Sequence, residues 1–121
     1  MSIAQLSLKR AYEPAADDDG MRILVDRLWP RGLDKQYAAI DEWLKDVAPT
    51  AELRKWFRHD PKRWSEFRRR YLDELAGNAA TERLRELVNK HRVTLVYSAR
   101  DTEHNQALVL RDFLEGAKGG S

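Results

Sequence analysis

The sequence predicts a small α/β protein, a mostly parallel sheet of about three strands flanked by helices in a Rossmann-like, three-layer arrangement. Three observations carry that prediction. The runs Ile23-Leu24-Val25 and Val93-Thr94-Leu95-Val96-Tyr97 are continuous rather than alternating, as strands covered on both faces are. From residue 36 to 91 the apolar spacing changes to the helical period. Two covered strands separated by helices imply a parallel pair joined by a right-handed crossover.

The elements follow in order. Residues 3–12 alternate Leu6, Leu8 and Tyr12 against Ser7 and Lys9, which suits a strand with one wet face. The next stretch holds Pro14, Asp17, Asp18, Asp19 and Gly20 and reads as a turn. A connection this short favours an antiparallel hairpin with the strand at 21–28, although one helical turn within it would allow a parallel neighbour. Trp29-Pro30-Arg31-Gly32 stops that second strand. Ile40, Trp43, Leu44 and Val47 form a first helical stripe, ended by Pro49. Thr50 caps a second helix with Leu53, Trp56 and Phe57 inward. Asp60-Pro61, a cap followed by proline, opens a third with Trp64, Phe67, Tyr71, Leu72 and Leu75 on one face, and Gly77-Asn78 ends it. A fourth helix spans about 80–90 and a covered strand 93–98. A last helix, capped by Asp101 or Thr102, carries Ala107, Leu108, Leu110, Phe113 and Leu114.

At 121 residues the chain is one domain, expected over 1–116 with a flexible tail at 117–121. That size buries roughly two thirds of the surface of the unfolded chain, enough for a core without staples. A hydrophobic fraction of 42% against 35% charged excludes a disordered chain. The longest apolar run is far short of a membrane span, and the start lacks the order of a secretory signal. Zero cysteines exclude a disulfide scaffold, a Cys-based zinc site and a thiol nucleophile. These features point to the cytoplasm. The net charge of +2 does not announce nucleic acid, but its distribution is uneven. Residues 13–19 hold Glu13, Asp17, Asp18 and Asp19 with no base, whereas residues 52–71 hold eight bases against three acids.

In open α/β sheets a ligand crevice lies beyond the carboxyl ends of the strands. Both covered strands end in polar sequence there, Asp26 to Gly32 and Tyr97 to Asp101. If they are parallel neighbours, the two tips meet. They would gather Arg27, Arg31 and Arg100, the carboxylates Asp26 and Asp101, and Ser98, with His104 and Asn105 from the start of the last helix. Arginines supply planar forks for phosphate or carboxylate, and a helix start favours an anion. The expected site is a pocket for a small phosphate- or nucleotide-like anion, whether it only binds that ligand or also acts on it. Asp26 and His104 are its candidate acid–base pair. Arg27, Arg31 and Arg100 are its clamps, Ser98 and Asn105 its hydrogen-bonding groups, and Trp29 and Tyr97 its walls. Each has a plainer reading. Asp26 also suits an ion pair with a neighbouring arginine, and a histidine in a first helical turn often only bonds solvent.

The segments VDRLWPRGL, DEWLKDVAPTAELRKWFRHDPKRWSEFRRRYLDEL and VTLVYSARDTEHNQALVL resemble the YeaO-like branch of the domain-of-unknown-function 488 (DUF488) family. The resemblance covers about residues 6–115. It implies a small cytoplasmic α/β protein. In the wider family the second strand ends in Val-Asp-Val-Arg near a proline, and the last runs into a Cys-Ala-Glu type turn and a Cys-His-Arg segment. Here the corresponding places look like Val25-Asp26-Arg27, Ser98-Ala99-Arg100 and His104-Asn105. Without cysteine, thiol or metal chemistry of the longer relatives does not carry over.

Other features are quieter. His59, His91 and His104 lack metal-ligand spacing, so no metal is expected. No dinucleotide, NTPase or esterase loop motif occurs, and no cofactor is expected. Asp60 is read as a cap rather than as a partner for His59. Trp43, Trp56 and Trp64 fall on helical stripes and are expected in the core. An alternative function is an accessory module using the basic helix at 61–76 to bind nucleic acid or protein, with Arg68, Arg69 and Arg70 on its face.

Overall fold

The computed structural model describes residues 5–120 of the chain, and the side chains of residues 6–116. Four strands, β1 (Gln5–Arg10), β2 (Met21–Leu24), β3 (Glu42–Trp43) and β4 (Arg92–Tyr97), form one sheet in the order β1-β4-β2-β3. All pairings are parallel: β4 runs from Gln5↔Arg92 to Arg10↔Tyr97 on one side and from Met21↔Val93 to Leu24↔Val96 on the other. Five helices accompany it, α1 (Lys35–Ala38), α2 (Ala51–Phe57), α3 (Trp64–Ala76), α4 (Ala79–Lys90) and α5 (Gln106–Gly120). The protein is thus α/β, with a small parallel sheet flanked by helices. No helix among the described residues is long and apolar enough to cross a membrane. The flexible tail expected at 117–121 falls outside the described side chains and, at Ser121, outside the described residues.

Strand parity divides the core. Ile23 and Val25 of the β2 segment and Val93, Leu95 and Tyr97 of β4 face the larger cluster, where Phe57, Phe67, Tyr71, Leu75, Leu84, Val88, Leu110 and Leu114 cover them from α2–α5. Leu24 and Val96 face the opposite way and meet Ala11, Leu33 and Ala38, closed over by Trp29 and Ile40. The helix ends obey local chemistry. Thr50 Oγ1 accepts the Leu53 N–H at 3.2 Å, Asp60 caps the one-turn 3-10 helix Pro61–Arg63 that leads into α3, and Asn78 caps α4. Asn105 caps α5, its Oδ1 accepting from Leu108 N at 3.1 Å. The cap therefore lies a turn beyond Asp101 and Thr102. Asp101 instead closes the preceding turn by accepting from Glu103 N and His104 N.

Three expectations are corrected. β1 does not form a hairpin with β2; both flank β4, and a 3-10 turn at Asp17–Asp19 lies in the link between them. The stripe Ile40, Trp43, Leu44, Val47 is not a helix. Its spacing fits one, but the exposed edge of β2 captures the backbone: Asp41 N donates to Arg22 O at 2.8 Å and Leu44 N to Leu24 O at 3.0 Å. What remains helical there is α1, capped by Asp34 and ended at Ala39 in the left-handed region, and a 3-10 turn at Lys45–Val47. Trp43 consequently lies on an edge strand, 37% exposed, with the Lys45 ammonium 5.3 Å from its ring. Trp56 and Trp64 pack against the core only partly buried. The Arg63 and Arg70 guanidinium groups lie 5.2 and 4.5 Å from the Trp56 ring centre.

The acidic run at 13–19 is not all surface either. Asp19 is buried, with Lys9 Nζ at 3.1 Å and Arg22 Nη1 at 2.7 Å, while its carbonyl accepts from Thr94 Oγ1 at 2.7 Å. Burial alone would raise its pKa, but the Ala16 N–H and the two cations together hold it below the ordinary value. Gly20 follows, at φ 68°, ψ −140°, and a Cβ there would stand 2.4 Å from the Arg92 carbonyl oxygen. Glycine alone adopts that backbone and tolerates that approach. Gly20→Ala is therefore expected to destabilise the protein by at least about 2 kcal/mol in urea unfolding. An unchanged midpoint would contradict this packing of the β1–β2 link on β4.

Candidate functional site

Because β2 and β4 are parallel neighbours, the segments leaving their carboxyl ends emerge side by side. They line a hollow of about 520 Å³, within the usual range of small-ligand pockets. Residues 26–31 form one wall and Ser98 and Ala99 another. Asn105 and Gln106 come from the start of α5, Pro49, Arg54, Lys55 and Phe57 from the α2 region, and His59 and Phe67 complete it.

Asp26 organises the wall. It is 8% exposed, and its Oδ2 accepts from Ser98 N at 3.0 Å and Ser98 Oγ at 2.6 Å. Oδ1 accepts from Gln106 Nε2 at 2.6 Å. One carboxylate thus ties the end of β2 to the end of β4 and the first residue of α5. Its main-chain carbonyl accepts from Trp43 Nε1 at 2.7 Å, joining β3 to the same point. Burial raises the Asp26 pKa above its ordinary 3.8, although the Ser98 and Gln106 hydrogen bonds and the Arg54 charge pull the other way. With both oxygens engaged, Asp26 is built first as an anchor.

The cations surround it. Arg27 directs Nη2 at the carbonyls of Ala48 and Pro49, at 3.5 and 3.4 Å, while its Nε is buried with no acceptor. Arg54 Nε is likewise buried without an acceptor. Lys55 and Arg31 are more exposed. Four cationic side chains therefore line the hollow against one carboxylate. The floor is apolar: Phe57 and Phe67 are buried and stacked, ring centres 4.2 Å apart. His59 is held beside Phe57, ring centres 5.9 Å apart, by two successive non-glycine residues in the left-handed region, Arg58 (φ 51°) and His59 (φ 55°). Such strain persists only where surroundings impose it.

Of the residues singled out from sequence, Asp26, Arg27, Trp29, Arg31, Ser98 and Asn105 line this hollow, whereas Tyr97, Arg100 and His104 do not. Tyr97 is buried in the core, its hydroxyl bonded to Asn105 and its pKa raised by burial. Arg100 is exposed. His104 Nδ1 lies 2.9 Å from Asp101 Oδ2, and its ring stands edge-on to Trp64 at 5.3 Å. The meeting of the two strand tips suggested an acid–base pair of Asp26 and His104, but the turn at Asp101 keeps the imidazole to itself. Hydrogen bonds from Glu103 N and from His104 hold the Asp101 pKa below its ordinary value. Arg54, Lys55, His59 and Gln106 were not singled out. Arg54 was legible in principle, since it flanks the inward residues Leu53 and Phe57 of a capped helix. His59 was not, because its position depends on left-handed backbone at two ordinary residues.

Comparison with known proteins agrees with the segments noted above. Residues 5–119 match the model of a family described as the inactive DUF488-N3 subclade. The protein named "Uncharacterized protein YeaO" of Escherichia coli (strain K12) is 48% identical over 110 residues, 90% of this chain and 96% of that protein. "Uncharacterized protein Rv3073c" of Mycobacterium tuberculosis (strain ATCC 25618 / H37Rv) is 43% identical over 112 residues, 93% of this chain and 95% of its own. No solved structure matches the chain.

The anchor role of Asp26 is open to measurement. Asp26→Ala strands three donors and is expected to cost about 2 kcal/mol, while the isosteric Asp26→Asn costs less than about 1 kcal/mol. The pH dependence has a definite sign. A carboxyl whose pKa is raised on folding contributes most below its unfolded pKa and loses that contribution as pH rises through the folded value. Asp26→Asn cannot titrate, so wild-type stability measured relative to it should decline as pH is raised from acid toward neutrality. A relative gain over that interval would overturn the assignment.

Proposed function

The chain belongs to the DUF488 family, in the subclade described as inactive DUF488-N3, and on that premise we propose that it is a cytoplasmic binding protein for a small phosphate-like anion, held in the hollow at the carboxyl ends of β2 and β4. The description of the subclade favours binding over a reaction. The observation that carries the proposal is the pair of buried guanidinium donors. Arg27 Nε and Arg54 Nε are two of the three buried side-chain donors left without an acceptor among the described residues, and both residues line the same hollow. A buried unpaired donor costs about 1–3 kcal/mol, more for a charged group. An anion accepting from both offsets that cost and meets an excess of positive charge.

The basic helix supplies less. Arg69 and Arg70 are both bonded to Glu66, and Arg68 to Asp112. Those hydrogen bonds hold the Glu66 pKa below its ordinary value. The arginines of α3 are thus compensated within the protein, whereas the donors of the hollow are not. This favours the pocket over a nucleic-acid face.

Inorganic phosphate at constant ionic strength is expected to raise the melting temperature of the full chain by mass action. Arg27→Met and Arg54→Met keep the apolar stems and remove the donors, and each should weaken phosphate binding about tenfold or more. If phosphate and chloride give the same melting temperature, or if neither substitution alters the phosphate response, the proposal fails.

A further inference from the structure

The hollow has a second chemical side, set by the same carboxylate. Ionised Asp26 only accepts hydrogen bonds, so whatever faces it must donate. Gln106 therefore turns its Nε2 toward Asp26, at 2.6 Å, and keeps the carbonyl Oε1 for other partners. Ser98 spends its hydroxyl proton on Asp26, also at 2.6 Å, which leaves Oγ with lone pairs alone. The amide of Asn105 is engaged at both ends, Nδ2 with Asp101 O at 2.9 Å and Oδ1 with Leu108 N at 3.1 Å, and it also meets the Tyr97 hydroxyl. Ser98 and Gln106 line the hollow, as do Arg27 and Arg54. The cationic side thus offers only donors, and the neutral polar side mainly acceptors. A bare oxyanion satisfies the first and leaves the second to water.

We infer that the ligand is a phosphomonoester whose organic body bears hydroxyl or N–H donors, the anion lying against Arg27 and Arg54 and the donors reaching Ser98 Oγ and Gln106 Oε1. The stacked Phe57 and Phe67 give the carbon body an apolar floor, and about 520 Å³ leaves room for more than a phosphate group. Asp26 is a positioning residue in this scheme. It touches no ligand and sets the preference through the direction in which it holds two side chains. The inference rests on the anion reading of the hollow and adds to it the class of molecule attached to the anion.

Isothermal titration of the full chain with four probes tests it: inorganic phosphate, phenyl phosphate, ribose 5-phosphate and a nucleoside 5′-monophosphate. Phenyl phosphate brings a carbon body without donors. Ribose 5-phosphate or the nucleotide should bind about tenfold more tightly than phenyl phosphate, the worth of one or two hydrogen bonds, and the ratio between those two assigns the donors to a sugar or to a base. In Asp26→Asn the new amide donates to Gln106, which must turn its carbonyl inward and present N–H to the hollow. That variant should bind inorganic phosphate more tightly, having lost a like charge, yet lose the preference for donor-bearing esters. Phenyl phosphate binding as well as the donor-bearing esters in the wild type would overturn the inference and leave the anion site standing. Absence of binding by all four would remove the site itself.

Discussion

The parallel pairing of β4 with a strand on each side is the constraint on which the molecule depends. Parallel neighbours place all their carboxyl ends on one edge of the sheet, and each connection must then carry the chain back to the opposite edge. Here the return from β1 to β2 uses only the segment between Arg10 and Met21, without an α-helix. It succeeds because Ala11 packs beneath the sheet with Leu24 and Val96, and Gly20 passes flush against the Arg92 carbonyl. The buried Asp19 is satisfied at the same place by Lys9 from β1, Arg22 from β2 and the Ala16 amide of the link itself. Losing one partner of such a buried pair leaves an uncompensated charge, which is more damaging than the pair is stabilising. Its service is to fix where the link sits.

At the other edge a second buried carboxylate does the corresponding work. Asp26 joins the ends of β2 and β4 to the start of α5 and, through its carbonyl, to Trp43 on β3. The two acids differ in environment. Asp19 has two cations within 3.1 Å and is held ionised; Asp26 accepts from neutral donors in a buried wall, and its pKa is raised. The difference matters at the carboxyl edge. An Asp26 clamped by arginine would quench the positive field of the hollow, whereas one held by Ser98 and Gln106 leaves Arg27 and Arg54 with donors to offer. Charge that is locally paired, as on the outer face of α3, holds structure together; charge left over inside a concave wall is available to a ligand.

Much of this is legible in the order of residues. The two continuous apolar runs named the central strands, because only a strand covered on both faces dispenses with alternation. Thr50 and Asp60-Pro61 marked helix starts through their own side-chain chemistry, which needs no partner from elsewhere, whereas Asn78, read with Gly77 as a helix end, turns out also to cap the next helix. The polar tips after Val25 and Tyr97 pointed to Asp26, Arg27 and Ser98 by the geometry of parallel sheets. Misreadings arose where a distant element decided the matter. Ile40 to Val47 has helical spacing, yet an unpaired edge of β2 offered its backbone a better set of hydrogen bonds. His104 has the right neighbours in sequence, yet the Asp101 turn claims its ring.

Taken alone, the order of residues determined the class of fold, the identity of the buried strands, most helix boundaries and the family to which the chain belongs, since each follows from local periodicity, capping or motif. Tertiary structure alone decided that β1 lies beyond β4 instead of beside β2, that Asp19 is interior, and that Arg54, His59 and Gln106 join the hollow while Arg100 and His104 stay outside it. Those outcomes depend on which groups meet across tens of residues, and on how a few buried charges share the donors and acceptors available, quantities that no stretch of neighbouring residues contains.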